Sequence, residues 1–150
     1  MQKETIDPPA DSLGRLVNIT AARARQILAH LLEPHDLSPQ QWIVLCVLWQ
    51  RKAVSVGDLA RYMRSEKPAV SRLVDRMEKA GWVKKCASCS DARSVLVSAT
   101  NKGQEKAHLR SLYTEVNEVV LEGFSEKETV QLFALLNRAQ KNASNYLKQK

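Results

Sequence analysis

A chain of 150 residues with 44% hydrophobic residues is long enough for one domain with an apolar core and too apolar for a disordered tail. Its longest apolar run, Ile43 to Trp49, falls far short of the roughly 18 residues that a membrane span needs. The formal net charge is +7, and residues 51–93 hold eleven Lys or Arg against five acids, so nearly all of the excess sits in less than a third of the chain. The first residues, with Lys3, Glu4, Asp7 and two prolines, carry no apolar secretory segment. The expected setting is therefore cytoplasmic, with no membrane partner and with three reduced cysteines rather than a disulfide framework. A concentrated positive field suits a polyanion, because each neutralised phosphate releases condensed counterions.

The predicted elements follow in chain order. Leu13, Leu16, Val17, Ile27, Leu28, Leu31 and Leu32 recur at three- and four-residue steps and predict a helix from about Asp11 to Glu33, stopped by Pro34. Ser38, Pro39 and Gln41 form a capping box that opens a second helix. Its stretch from Trp42 to Trp49 is apolar all round, so every side of it must be covered. Ser55, with Asp58 three residues on, caps a third helix with Val56, Leu59, Ala60 and Met63 facing inward. Glu66 to Ala80 predicts a fourth, with a core stripe of Val70, Leu73, Val74 and Met77, and Gly81 stands where a C-terminal glycine belongs. Trp82–Lys85 and Ser94–Ser98 read as two short strands joined by a hairpin tip. Thr100 caps a helix expected to run to about Leu121, Gly123 breaks it, and the Ser125/Glu128 box opens a last helix to about Leu147.

Two short helices joined by a tight turn and followed by a β-hairpin are the wiring of a winged helix-turn-helix. The expected fold is therefore mainly α with a small β-hairpin wing. The second helix of the pair must bury one face and offer the other to a major groove. Its outward candidates are Lys67, Pro68, Ala69, Ser71, Arg72, Asp75, Arg76 and Lys79, with Ala69, Arg72 and Arg76 on one face. Arg72 has the reach and the two-pronged geometry for a guanine edge. Ser65 and the free N–H groups of the first turn suit a phosphate, while Pro68 removes a donor that this turn leaves unpaired anyway. Lys84 and Lys85 add charge at the base of the hairpin. The partner expected from these residues is double-stranded DNA.

These residues resemble the MarR-type transcriptional regulators. The resemblance lies in Leu37-Ser38-Pro39-Gln40-Gln41-Trp42 with Leu45, in Asp58-Leu59-Ala60, in the run from Val70 to Val83, and in Asp91-x-Arg93 and Thr100-x-x-Gly103. It covers about residues 11 to 147 and implies a homodimer joined by the N- and C-terminal helices. Residues 1–37 and 101–150 would then be the helical dimerisation region, and residues 38–100 the DNA-binding region of one compact domain per subunit. The resemblance further implies a repressor of a pseudo-palindromic operator, with Arg93 of the wing in the minor groove and Asp91 bracing the wing against Arg76 or Arg93. Asp91-Ala92-Arg93 replaces the Asp-Arg-Arg common in the family. The arginine expected in the groove is kept, and a flanking basic residue is absent.

Such regulators release DNA when a small molecule or an oxidant arrives, and three groups of residues are candidates for sensing it. Cys86 and Cys89 lie three apart in the wing beside Lys84 and Lys85, and nearby lysines favour thiolates that oxidise; two inert loop thiols are the alternative. The same pair is half of a zinc site, but tetrahedral zinc wants four ligands, and His30, His35 and His108 are scattered along the chain; no metal and no cofactor is expected. His30, Trp42, Cys46 and Trp49 are candidates for an effector pocket, with plain core packing as their other reading. An enzyme is not expected, for the chain has no G-x-S-x-G, H-E-x-x-H or glycine-rich phosphate loop. The alternatives to a DNA-binding regulator are a Cys-x-x-Cys thiol oxidoreductase and a helical dimer that binds protein rather than DNA.

Overall fold

A computed structural model describes residues 10–87 and 94–149 of the chain. The chain divides into two units, Met1–Tyr113 and Thr114–Lys150.

The first unit opens with helix α1 (Leu13–Leu32), capped by Ser12, whose Oγ accepts the Arg15 N–H at 3.4 Å. Behind it, Glu33–His35 tighten into a 3-10 turn around Pro34, and Asp36 takes a left-handed conformation. Helix α2 (Pro39–Gln50) begins at the expected capping box: Ser38 Oγ accepts the Gln41 N–H at 3.3 Å, and Gln41 Oε1 accepts the Ser38 N–H at 2.9 Å. Trp42, Val44, Leu45 and Leu48 are buried, and Ile43, Cys46, Val47 and Trp49 pack half-buried against the same core. An all-apolar helix is the hub of this unit because each of its faces has a neighbour.

After α2 come strand β1 (Val54–Ser55), helix α3 (Val56–Met63), helix α4 (Lys67–Lys79) and strands β2 (Val83–Ala87) and β3 (Val95–Ala99). The sheet is antiparallel in the order β1-β3-β2, with Val54 opposite Val97 and Lys85 opposite the same residue from the other side. The hairpin was expected and the third strand was not, since two residues show no alternation. Core residues Leu59, Val74, Met77, Val83 and Val97 are fully or almost fully buried and join α3, α4 and the sheet into one apolar layer.

The helix expected from Thr100 to Leu121 is not continuous. It divides into α5 (Asn101–Gln104), a 3-10 stretch (Ala107–Ser111) and α6 (Leu112–Val120). Two indoles of α2 account for the interruption: Trp49 Nε1 donates to the Gly103 carbonyl at 3.0 Å, and Trp42 Nε1 donates to the Leu109 carbonyl at 2.9 Å. Tighter bonds three residues apart, such as Leu109 N–H to Lys106 O at 2.9 Å, replace the α-helical ladder between them.

In the second unit, α6 ends before Gly123, which takes a positive φ of 82°. Helix α7 (Glu126–Lys148) starts at the Ser125/Glu128 capping box, with N–H to oxygen distances of 2.8 and 3.2 Å. No described residue of α7 is buried, and Val130, Phe133, Leu135, Leu136, Tyr146 and Leu147 are exposed. In the first unit, α1 likewise leaves Leu13, Leu16, Val17 and Ile19 exposed.

Among the described residues no helix is long and apolar enough to cross a membrane. Gly103 sits where there is no room for a side chain: an added Cβ would collide with the Trp82 carbonyl oxygen and press on Ala99 and Leu45. Gly103→Ala is therefore expected to destabilise the fold by about 1–3 kcal/mol, the usual cost of forcing atoms into a filled site. Urea unfolding of the variant beside the parent measures it, and equal midpoints would show that this contact yields freely.

Candidate nucleic-acid interface

The face that α4 shows to solvent follows from the face it must bury. Val70, Leu73, Val74 and Met77 are 0–5% exposed, which fixes the rotation of the helix about its axis. Ala69, Arg72 and Arg76 then point outward together and, with Gln40 of α2, border one shallow groove. No carboxylate of a described residue pairs with Lys67, Arg72 or Arg76. Pro68 lies in the first turn, and the N-cap position is Glu66, whose side chain makes no capping bond. Ser71 is half-buried, in a cleft it shares with Ser55, Gly57, Lys67 and Lys85 between α3, α4 and the sheet.

Two expected phosphate contacts stand differently. Ser65 has spent both donors, its N–H on the Ala60 carbonyl at 3.0 Å and its hydroxyl on the Met63 carbonyl at 3.2 Å. Lys85 turns back onto α4. Its Nζ lies 2.6 Å from Asp75 Oδ1 and 3.6 Å from Glu78 Oε1, and its backbone N–H donates to Glu78 Oε2 at 3.0 Å. The ammonium is thus taken up by two acids of α4, and Lys85 ties β2 to that helix. Lys84, the neighbour on the other face of the strand, remains exposed.

Asp91, Cys89 and Arg93 lie outside the described residues, as does the brace expected from Asp91 to Arg76 or Arg93. The joint between wing and helix that the described residues do form is Lys85 with Asp75 and Glu78. The hydrogen bond from Lys85 holds the Asp75 carboxyl below the usual aspartate value, and that to Asp75 holds the Lys85 ammonium above the usual lysine value. The C-terminal end of α4 has its own fixings. Thr100 Oγ1 donates to the Gly81 carbonyl at 2.5 Å, and Lys102 Nζ donates to the Ala80 carbonyl at 2.7 Å while lying 4.1 Å from the centre of the Trp82 ring.

The candidate sensing residues fall in separate places. Cys86 is exposed on β2, opposite Leu96. Cys46 is half-buried on α2, and burial pushes its thiol up to about 12 against the opposing pull of Arg110. Trp42 and Trp49 use their indole N–H groups to hold the chain after α5, and His30 stands on the surface beside Glu33, 3.7 Å away. Trp42, Cys46 and Trp49, four and three residues apart on α2, therefore share one face of that helix, while His30 stands exposed on α1. Of the three histidines, His35 and His108 do meet, with ring centres 6.0 Å apart edge to face.

Two measurements follow from this geometry. An acid held below its ordinary pKa stabilises the fold above that value, and the stabilisation is lost as pH falls through the depressed one. A lysine held above its ordinary value stabilises below it and loses the effect as pH rises past the raised one. Melting temperature is thus expected to fall less between about pH 5 and pH 2.5 in Asp75→Asn than in the parent. Parallel curves would show that the pair makes no difference. For the thiols, a pKa of about 12 leaves Cys46 only about one thiolate in 10⁴ at pH 8. In a Cys89→Ser background, Ellman's reagent is expected to label Cys86 quickly and Cys46 only on unfolding; two fast thiols would contradict the placement.

The MarR family model matches residues 37–95. The multiple antibiotic resistance protein MarR of Escherichia coli strain K12 is 30% identical over 91 residues, which cover 61% of this chain and 63% of that protein's length. A solved structure of an E. coli MarR mutant complexed with operator DNA is similar in fold, with a TM-score of 0.79, 24% identity, and coverage of 85% of this chain and 92% of that one. A solved MepR–DNA complex from S. aureus superposes with a TM-score of 0.79 at 21% identity, over 87% of this chain and 98% of that one. The matched segment runs from the residue before the α2 cap to the first residue of β3, so it takes in the whole helix-turn-helix, and over that segment this chain is similar to the MarR family.

Proposed function

We propose that this chain is a sequence-specific, duplex-DNA-binding transcriptional regulator that acts as a homodimer. The observation that carries the reading is the outward face of α4, where Ala69, Arg72 and Arg76 stand together with no carboxylate of a described residue against them. A small residue lets the helix approach the base edges closely, and the arginines supply paired donors for guanine O6 and N7. The relatives solved with DNA, the E. coli MarR mutant and S. aureus MepR, support the same reading.

In this proposal α4 enters the major groove and Lys67 and Lys84 meet phosphates. Arg93, outside the described residues, takes the minor groove beside the wing. Residues 1–37 and 101–150 serve dimerisation and residues 38–100 serve DNA. The exposed apolar rows of α1 and of α7 support the dimer, because isolated helices rarely leave so many large apolar side chains in water. Two copies would place their reading helices in successive major grooves of a pseudo-palindrome. Occlusion of a promoter in the cytoplasm, relieved by a small molecule or by thiol oxidation in the wing, is the simplest mode of action for such a dimer. The exposed thiol of Cys86 on β2 supports the oxidative route.

Footprinting on the DNA upstream of the protein's own gene supplies an operator for the test. Arg72→Ala is expected to weaken operator binding by about 1–3 kcal/mol and to relax the preference at one base position. Arg93→Ala is expected to weaken operator and unrelated duplex alike. Parent-like binding in both variants would refute the groove assignments.

A further inference from the structure

Among the described residues, four hold a left-handed backbone: Asp36, Arg64, Gly81 and Gly123. Glycine has no Cβ to clash in that region, and a short aspartate tolerates it by local hydrogen bonding. Arg64 is the exception, at φ 50° and ψ 44°. The conformation is imposed by how α3 ends. Ser65 N–H reaches back to the Ala60 carbonyl at 3.0 Å and Arg64 N–H to the Arg61 carbonyl at 3.2 Å, a closure that favours glycine at the left-handed position. Helix α4 ends by the same closure, with Trp82 N–H on the Met77 carbonyl at 2.9 Å and Gly81 N–H on the Glu78 carbonyl at 3.0 Å, and there the residue is glycine. At two equivalent positions of one chain, one carries the residue that the backbone prefers and the other carries a long cation. A side chain that strains the backbone where it stands, with no packing to gain, points to a role outside the fold.

The surroundings of Arg64 indicate that role. The residue is exposed, and no described carboxylate pairs with it, whereas its neighbour Arg61 is already bound to Asp58. Arg64 lines an open cleft with Gly57, Arg61, Ser65, Glu66 and Lys67, in the turn that delivers the chain into α4. We infer that Arg64 is a phosphate-gripping residue of the interface, holding the DNA backbone beside the groove that α4 enters, together with Lys67. The inference rests on the duplex-binding reading and extends it. A guanidinium presents two parallel N–H donors to a phosphate, and such a contact fixes the register of the helix on the duplex without reading a base. The two donors of Ser65, expected from the sequence for this task, are engaged within the chain, and Arg64 takes their place.

The test uses the full-length protein, a random-sequence duplex and a salt titration. Arg64→Gly relieves the backbone and is expected to melt at the parent's temperature or up to about 4 °C higher. The same variant should bind the duplex about five- to tenfold more weakly at 0.1 M salt, with the slope of log affinity against log salt shallower by about one per subunit. Arg64→Gln keeps the strained backbone, removes the charge, and should lose the same slope at parent stability. Arg15→Gln removes an equal charge from α1, which packs on α2, and should keep the parent's slope. An unchanged slope in both Arg64 variants overturns the inference alone, as does an equal loss in Arg15→Gln. A parent with no salt-dependent duplex binding overturns the duplex-binding reading and this inference with it.

Discussion

Four side chains of α4 set the orientation of everything that the surface can offer. Val70, Leu73, Val74 and Met77 are fully or almost fully buried, and each contributes about 1.5–3 kcal/mol by leaving water. Turning the helix by one residue, roughly 100°, would expose part of that stripe and drive an arginine inward. The core therefore holds Arg72 and Arg76 outward without needing any contact of their own. The two ends of α4 are fixed separately, the first by the closure of α3 and the last by Gly81, Thr100 and Lys102. What the helix presents is rigid because its supports lie behind it and at its ends, leaving the outward face free of structural duties.

The structure also sorts charges that the composition counts alike. Lys85 is held by Asp75 and Glu78, Arg61 by Asp58, and Lys102 by a carbonyl and an indole ring. These cations are engaged within the fold. Arg64, Lys67, Arg72 and Arg76 face no carboxylate among the described residues, and they lie along the turn and the outer face of one helix. Part of the charge of the basic segment is thereby engaged within the fold, and part stays available at the surface.

Much of this was legible in the sequence because local signals and global packing agree. Ser38 with Gln41 and Ser125 with Glu128 are capping boxes in the sequence and in the structure, and the α4 stripe keeps its expected face inward. The failures have physical causes. Strand β1 is too short to show a period, and only its pairing with β3 makes it a strand. The break after α5 depends on indoles more than fifty residues away in sequence, from Trp42 and Trp49, which no local window contains. Lys85 reads as a free cation until the wing folds against α4, and Ser65 reads as a free donor until α3 closes. Arg64 passed unnoticed because its signal is a backbone angle, while the residue itself is unremarkable in a basic segment.

Ser55 serves two elements at once. It is the last residue of β1, paired opposite Leu96, and it is also the cap of α3, its Oγ accepting the Asp58 N–H at 3.1 Å. No linker separates the sheet from the helix. An inserted residue at this junction would have to forfeit either the strand register or the cap, since one side chain cannot hold both across a longer chain. The junction at Ser55 is therefore closed to length variation among descendants of this sequence.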